Sequence, residues 1–375
     1  MLRLERVTLR EVRLALREPF RISSGVVTER RILLLEVAAA GGLRAWSECV
    51  AGEAPNYSAE TIDTAWLALR EWISPRLLGV ELSGPECVHE LLERDLRGHR
   101  MARAALEMAV WELSARADGL PLARRLGGTR DRVEVGISLG IQPTPEALVE
   151  RAVAARDLGY RRIKLKIRPG ADLPFVSAVR SALGGDAFVS VDANSAYGVA
   201  DFDHLARLDA YGLAMIEQPL EQEDLVRHAD LQRRLDTPIC LDESIVSPER
   251  AEDMIRLGSG RIVNIKPGRV GGFTAARAIH DVCAARGVPV WCGGMLESGI
   301  GRGYNIALAS LPNFTLPGDL SPSARYWERD IVDPEWTMGA DGTVAVPLDR
   351  PGIGVRVDED RIDDLTVRAE TLHAR

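Results

Sequence analysis

From about residue 132 the apolar and polar positions repeat with one period. Short apolar runs each close on a charged side chain: Arg162-Ile-Lys-Leu-Lys166, Phe188-Val-Ser-Val-Asp192, Ala214-Met-Ile-Glu217, Ile239-Cys-Leu-Asp242 and Ile262-Val-Asn-Ile-Lys266. The closing charges are 26, 25, 25 and 24 residues apart. That interval accommodates one strand, one helix and two loops, so each charge ends the same element in successive units. Thr144-Pro-Glu and Ser247-Pro-Glu open helices with a capping hydroxyl and Pro at the first helical position, and Gly159 and Gly258 close them. Strands are expected near 133–138, 162–167, 188–192, 214–217, 238–242, 261–266, 289–292 and 313–317. About eight strands alternating with helices fit an α/β barrel better than an open sheet.

The pattern before this region is different. Residues 1 to about 60 hold short strand-like runs such as Ile32-Leu-Leu-Leu-Glu-Val and Ala45-Trp-Ser-Glu-Cys-Val, separated by glycines. Residues from about 59 to 127 read as helices, the strongest spanning His99 to Leu113 with Met101, Leu106, Met108, Val110, Trp111 and Leu113 on a broad apolar face. Strands followed by helices make an α+β unit. The closing segment, with Pro347, Pro351, Gly352 and Gly354, is loop-rich and is expected to return to the first unit.

Parity sharpens the barrel reading. If Lys166 points into the barrel, Lys164 does too, and Ile163, Leu165 and Ile167 face the helices. The same rule puts Ser190, Asp192, Asn264 and Lys266 inside, with Val189, Val191, Ile216, Ile239, Leu241, Val263 and Ile265 outside. Every outward position is apolar, as a buried parallel sheet requires. Barrel enzymes keep their chemistry at the C-terminal strand ends, where these five charges fall.

With Lys166 on the second strand and Lys266 on the sixth, the two lysines face each other across the barrel mouth, and Asp192, Glu217 and Asp242 lie on the arc between. Three converging carboxylates need a cation, and a hard divalent ion such as Mg²⁺, or Mn²⁺, suits oxygen ligands. Two lysines flanking that ion suit removal of a proton from a carbon acid and its return on either face. An ordinary lysine, with a pKa near about 10.4, is a poor base at neutral pH. Lys164, the metal and burial are expected to lower Lys166, and Arg269 to act similarly on Lys266. A lone Lys-x-Lys is usually a solvated edge and a lone strand-end Asp usually a helix cap, but five charges in one register are not five independent caps.

Composition narrows the class. The net charge of −8 and 46% hydrophobic residues among 375 argue for a globular chain and against a nucleic-acid partner or an anionic membrane surface. No apolar run approaches the length of a spanning helix and the start lacks a signal-like apolar core, so a cytoplasmic enzyme is expected. Cys49, Cys87, Cys240, Cys283 and Cys292 are scattered without C-x-x-C, which points to reduced, buried thiols.

These residues resemble the enolase superfamily, its muconate-lactonising subgroup, and within it the N-acylamino acid racemase / o-succinylbenzoate synthase family. The resemblance runs through Pro19-Phe-Arg, Glu48-Cys-Val-Ala, Gly98-His-Arg-Met-Ala, Tyr160-Arg-Arg-Ile-Lys-Leu-Lys-Ile, Val191-Asp-Ala-Asn, Ile216-Glu-Gln-Pro-Leu, Cys240-Leu-Asp-Glu-Ser, Asn264-Ile-Lys-Pro-Gly-Arg-Val-Gly-Gly and Trp291-Cys-Gly-Gly-Met-Leu-Glu-Ser-Gly-Ile-Gly. It implies a (β/α)₇β modified TIM barrel over residues 129–324, closed by an α+β capping domain of residues 1–128 with the tail 325–375. Lys166 and Lys266 would be the acid/base pair, Asp192, Glu217 and Asp242 the Mg²⁺ ligands, and Lys164 and Asn194 their support. Substrate would be read by Phe20 to Gly25, Gly52 to Tyr57, Ser138, Gly293, Gly294, Met295 and Tyr326. Arg269 resembles the arginine that racemising members carry shortly after the second lysine, and Gly52 suggests a roomy acyl or side-chain pocket.

Two activities sharing one intermediate are implied: racemisation of N-acylamino acids, N-succinyl ones foremost, and o-succinylbenzoate synthesis by syn-dehydration in menaquinone formation. Muconate cycloisomerase fits by general pattern only. A dipeptide epimerase would want Asp-x-Asp on the last strand, whereas Asp319-Leu-Ser321 has one carboxylate, and Asp319 itself reads as a loop residue. No histidine falls at a strand end, which disfavours a mandelate-type base. A non-catalytic binding protein is disfavoured by the retention of all five charges. Assembly into a homo-oligomer is expected.

Overall fold

The computed structural model describes residues 1–22 and 25–374. Of the expected Phe20–Gly25 specificity segment, Ser23 and Ser24 therefore lie outside the described residues.

The N-terminal strands are longer than the glycine-punctuated sequence suggests. Leu2–Ile22 and Gly25–Ala39 form one long hairpin, with an irregular register between Ala15 and Phe20, and Arg44–Cys49 and the C-terminal Thr366–His373 flank it. Both faces of this antiparallel sheet are covered. Val7, Leu9, Leu33, Leu35 and Val37 pack on one face with Ala102, Ala105, Ala109 and Leu113 of the helix Arg100–Ala117, while Val12, Leu14, Ile32, Leu34 and Trp46 belong to the core shared with the barrel. A strand buried on both sides loses the polar alternation that would mark its length. The helix itself is buried all round, from Met101 to Ala115, because it is wedged between that sheet and the barrel.

Seven parallel strands follow in strict neighbour order: Gly136–Leu139, Arg162–Lys166, Val189–Asp192, Ile216–Glu217, Ile239–Leu241, Ile262–Ile265 and Val290–Cys292. The expected first strand at 133–138 is broken at Val135: Arg132–Glu134 pairs antiparallel with Thr343–Ala345, and only Gly136–Leu139 joins the barrel. The expected eighth strand, 313–317, is reduced to parallel bridges of Phe314 with Val290 and of Gly318 with Val135. Those bridges still close the ring, helped by hydrogen bonds from Gly136 N to Gly318 O and from Asp319 N to Cys292 O. Outward Ile163, Leu165, Val189, Val191, Ile216, Ile239, Leu241, Val263 and Ile265 are buried against the helices, as parity requires. Inside, Met215, Cys240, Ile262 and Trp291 form a separate apolar floor.

The helix signals act as read. Thr144 Oγ1 accepts from Ala147 N and Ser247 Oγ from Arg250 N, and the Gly258 cap is left-handed. All five cysteines are free, four of them buried. Among the described residues no helix is long and apolar enough to cross a membrane.

Candidate active site

The strand register places the inward polar side chains in neighbouring rows. Lys164 lies opposite Ser190, Lys166 opposite Asp192, and Asp192 opposite Glu217. Lys166 Nζ donates to Asp192 Oδ2 at 2.5 Å and to Asn194 Oδ1 at 2.7 Å. Lys164 Nζ, buried one layer lower, reaches Asp319 at 2.8 Å, Glu217 at 3.0 Å and Asp192 at 3.4 Å. Across the mouth, Lys266 Nζ donates to Asp242 Oδ2 at 2.7 Å and to the Tyr57 hydroxyl at 3.1 Å. Arg269 Nη1 also pairs with Asp242 and lies 3.3 Å from the same Tyr57 hydroxyl. Its other nitrogens donate to the carbonyls of Ile245 and Asn264.

The backbone just past these strands is strained where it turns. Asn194, Ser195 and Gln218 follow the strand-end acids with φ of 43°, 62° and 38°, in the left-handed region that non-glycine residues rarely occupy. Gln218 is held there by its side chain: its carbonyl oxygen accepts from Asp242 N and Ser244 N, and its amide donates to Leu220 O and Ser244 Oγ. One turn thereby fixes the next strand's acid.

Electrostatics follow from this pairing. Burial disfavours the Lys266 ammonium, but Tyr57, Glu243 and Glu217 outweigh it and hold its pKa above the ordinary lysine value. The expectation that Arg269 drives Lys266 toward neutrality is thus corrected, because the surrounding Tyr57, Glu243 and Glu217 outweigh both burial and the neighbouring guanidinium. Lys164 is likewise raised against its burial by Asp319, Glu217 and Asp192. Burial alone would raise Asp192, yet Lys166 and Lys164 hold it well below the usual carboxylate range. Among the described residues the acidic side chains do not gather into a metal-binding cluster. Each of the three carboxylates is turned to a lysine or arginine instead, which supplies the compensating positive charge. As a donor set, three buried carboxylates ending adjacent strands fit a hard divalent cation, with the ammonium groups standing in for its charge.

Above the strand ends lies a cavity of about 450 Å³. Both Lys166 and Lys266 line it, together with Asn194, Phe20, Tyr57, Gly294 and Met295 of the expected substrate contacts. Gly52 also lines it, and a Cβ added there meets nothing nearer than Ala54 O at 3.6 Å, so the wall is open at that point. Ser138, Gly293 and Tyr326 lie outside the cavity wall. Ser138 sits beside Lys164 in register, with its hydroxyl unpartnered among the described residues, and Tyr326 packs between Arg302 and Arg325. Gly293 acts on the lysine instead of the substrate, since a Cβ there would fall 2.2 Å from Asn264 Oδ1 and 2.6 Å from Lys266 Cε. Its hydrogen leaves room for the lysine stem.

Several residues carry more of the site than their place in the sequence suggests. Asp319, read as a loop residue, is buried and bridges Lys164 to Arg162 at 2.7 Å; the Arg162 guanidinium lies 3.8 Å over the Trp291 ring. Burial would raise the Asp319 carboxyl, but Lys164 and Arg162 overcome that penalty and lower it to about 2. Glu243 accepts from Asn194 Nδ2 at 3.0 Å and so braces the partner of Lys166; its place inside Cys240-Leu-Asp-Glu-Ser was the available signal. Glu48 and Glu107, from the N-terminal unit, cap the barrel helices Gly299–Ala309 and Phe273–Ala284. Glu48 accepts from Ser298 N, Ser298 Oγ and Gly301 N, and Glu107 from Phe273 N, Thr274 N and Thr274 Oγ1. Only the tertiary arrangement brings those partners together.

The comparisons with known proteins agree with this geometry. Residues 5–127 match the mandelate racemase / muconate lactonizing enzyme N-terminal domain, and residues 147–361 match the enolase C-terminal domain-like family. The chain belongs to the enolase superfamily. It is 50% identical over 365 residues to an N-succinylamino acid racemase of an Amycolatopsis species, covering 97% of this chain and 98% of that one. It is also 49% identical over 375 residues to the o-succinylbenzoate synthase of Geobacillus kaustophilus, covering 99% and 98%. A solved enolase-superfamily structure from Listeria innocua superposes with a TM-score of 0.96 at 38% identity over 100% of both chains.

Proposed function

We propose that this chain exchanges the α-proton of an N-acylamino acid, an N-succinylamino acid foremost, and thereby racemises it. The observation that carries the reading is that Lys166 and Lys266, from opposite strands of the ring, line one cavity while each is anchored by a different carboxylate. A neutral lysine on one side removes the α-proton, and the ammonium on the other delivers a proton to the opposite face. Asn194 and Asp192 aim Lys166, and Asp242 and Tyr57 aim Lys266. We assign Asp192, Glu217 and Asp242 as the residues that would hold Mg²⁺, whose charge would stabilise the enediolate developing on the substrate carboxylate. Residues 1–128 with the tail 325–375 act as the cap, supplying Tyr57 and Phe20 to the cavity.

The second reading, dehydration to o-succinylbenzoate, is supported by the Geobacillus relative and needs less of Lys266. Lys166 would then serve as base and acid on one face, with the ion-paired Lys266 left protonated opposite the developing charge. Arg269, in the position where racemising members of the family carry an arginine shortly after the second lysine, supports the racemase. A small carboxylate substrate, a cytoplasmic setting and assembly of several copies belong to the same proposal, and light scattering would test the assembly.

Incubation of each N-succinylamino acid enantiomer in D₂O tests the proposal. Both should gain deuterium at the α-carbon, and Lys166→Ala and Lys266→Ala should each abolish exchange from one enantiomer. Absence of exchange from either enantiomer, with turnover of the cyclohexadiene alcohol to o-succinylbenzoate, would leave the synthase alone.

A further inference from the structure

Arg30 lies on the long strand Gly25–Ala39, opposite Leu14, and shares a strand face with Ile32 and Leu34, whose side chains pack into the core common to sheet and barrel. It is only 7% exposed and lines the same cavity as Lys166 and Lys266. Its Nε and Nη2 are fully buried without a hydrogen-bond partner, and none of its guanidinium nitrogens forms an ion pair among the described residues. Glu48 and Glu297 act on it only from a distance, and both are engaged elsewhere: Glu48 by Ser298 and Gly301, Glu297 by Met295 N and Asn305 Nδ2 on one oxygen and by the Arg302 ion pair at 3.3 Å on the other.

A buried guanidinium left unpaired is costly, so its persistence calls for an anionic partner. The carboxylates that share the cavity wall do not supply one. Glu60 is spent on Met101 N and Ala102 N, Glu29 pairs with Arg13, and Glu53 is exposed. The planar fork of arginine matches a carboxylate with two parallel hydrogen bonds. On the reading proposed above, the reacting α-carboxylate end of a substrate lies on the lysine side of the cavity.

We infer that Arg30 is a specificity residue that receives a second, distal carboxylate of the substrate, and so makes the site selective for dianionic acyl chains. The inference rests on the N-acylamino acid reading above and deepens it. On an N-succinylamino acid the distal group is the free end of the acyl chain; an N-acetylamino acid lacks it. A site that holds a buried donor for one substrate rejects an analogue that leaves the donor unpaired.

The test compares α-deuteration of N-succinyl- and N-acetyl-phenylalanine by the unmutated enzyme, by Arg30→Met, which keeps the stem, and by Arg30→Lys, which keeps the charge but not the fork. Thermal unfolding is followed for all three. The unmutated enzyme should favour the N-succinyl compound at least a hundredfold in kcat/KM. Arg30→Met should lose at least thirtyfold on it while changing less than threefold on the N-acetyl compound, and Arg30→Lys should fall between. Equal losses on both compounds, or an unchanged preference, overturn the inference and leave a structural role; if Arg30→Met does not fold, the preference of Arg30→Lys decides in the same way. An unmutated enzyme that exchanges neither compound refutes the proposed function itself, and this inference falls with it.

Discussion

Asp319→Asn removes the ion-pair partner of a fully buried guanidinium and the 2.8 Å anchor of Lys164 while nearly conserving shape. Lowering the Asp319 pKa from 3.8 to about 2 corresponds to roughly 2 kcal/mol of preferential interaction with the ionised form. Breaking a buried pair outright costs about 3–5 kcal/mol. Asparagine keeps one acceptor, so urea unfolding at pH 7 should show a loss of about 2–4 kcal/mol. A depressed carboxylate pKa contributes stability that is complete above the unfolded value and is lost as pH falls through the folded one. The gap between the two proteins should therefore close between about pH 4 and pH 2. In the D₂O assay kcat should fall about tenfold with KM little changed, since Lys164 supports Glu217 and Asp192 rather than the cavity wall. A loss below about 0.5 kcal/mol at pH 7, the range of an ordinary surface change, would refute the anchoring role.

Gly293→Ala should cost about 1–3 kcal/mol by overpacking and reduce exchange at least tenfold, because Asn264 and Lys266 must both retreat; an unchanged kcat would show that the lysine stem is not confined there. Glu48 carries a folded pKa pushed by burial to about 7 from an ordinary 4.5, so it binds its proton more tightly folded than unfolded. The unmutated protein should thus lose stability relative to Glu48→Gln by up to roughly 3 kcal/mol as pH rises from about 4.5 to 7, and a flat or rising difference in urea midpoints would contradict the buried latch. Treatment with EDTA should abolish exchange and Mg²⁺ or Mn²⁺ should restore it; activity indifferent to chelation counts against Asp192, Glu217 and Asp242 as the holders of a metal ion.

Much of the barrel was legible because its signals are local. A strand buried on both faces with one polar side chain at its end leaves the same trace each time, as at Asp192, Asp242 and Lys266, and the hydroxyl-Pro-Glu starts at Thr144 and Ser247 need only three residues. The eighth strand, expected at 313–317, shrinks to two bridges, Phe314 with Val290 and Gly318 with Val135, because its pairing depends on partners far along the chain. The long hairpin was hidden for the opposite reason: both faces are covered, so its alternation disappears. Asp319 looked like a loop acid, since its partners Arg162 and Lys164 lie more than 150 residues away.

The sequence by itself determined which side chains share the inside of the barrel, because parity and period are properties of the chain. It also determined that two lysines and three acids end five consecutive strands, with the lysines outermost. Only the tertiary structure decided their partners. It paired Lys266 with Asp242 and Tyr57, set Arg269 on the same acid, spent Glu48 and Glu107 on helix ends, and left Arg30 without an anion among the described residues. The strength of an ion pair depends on separation and burial, and both are set by where the folded chain brings residues that lie far apart in sequence, which no local pattern encodes.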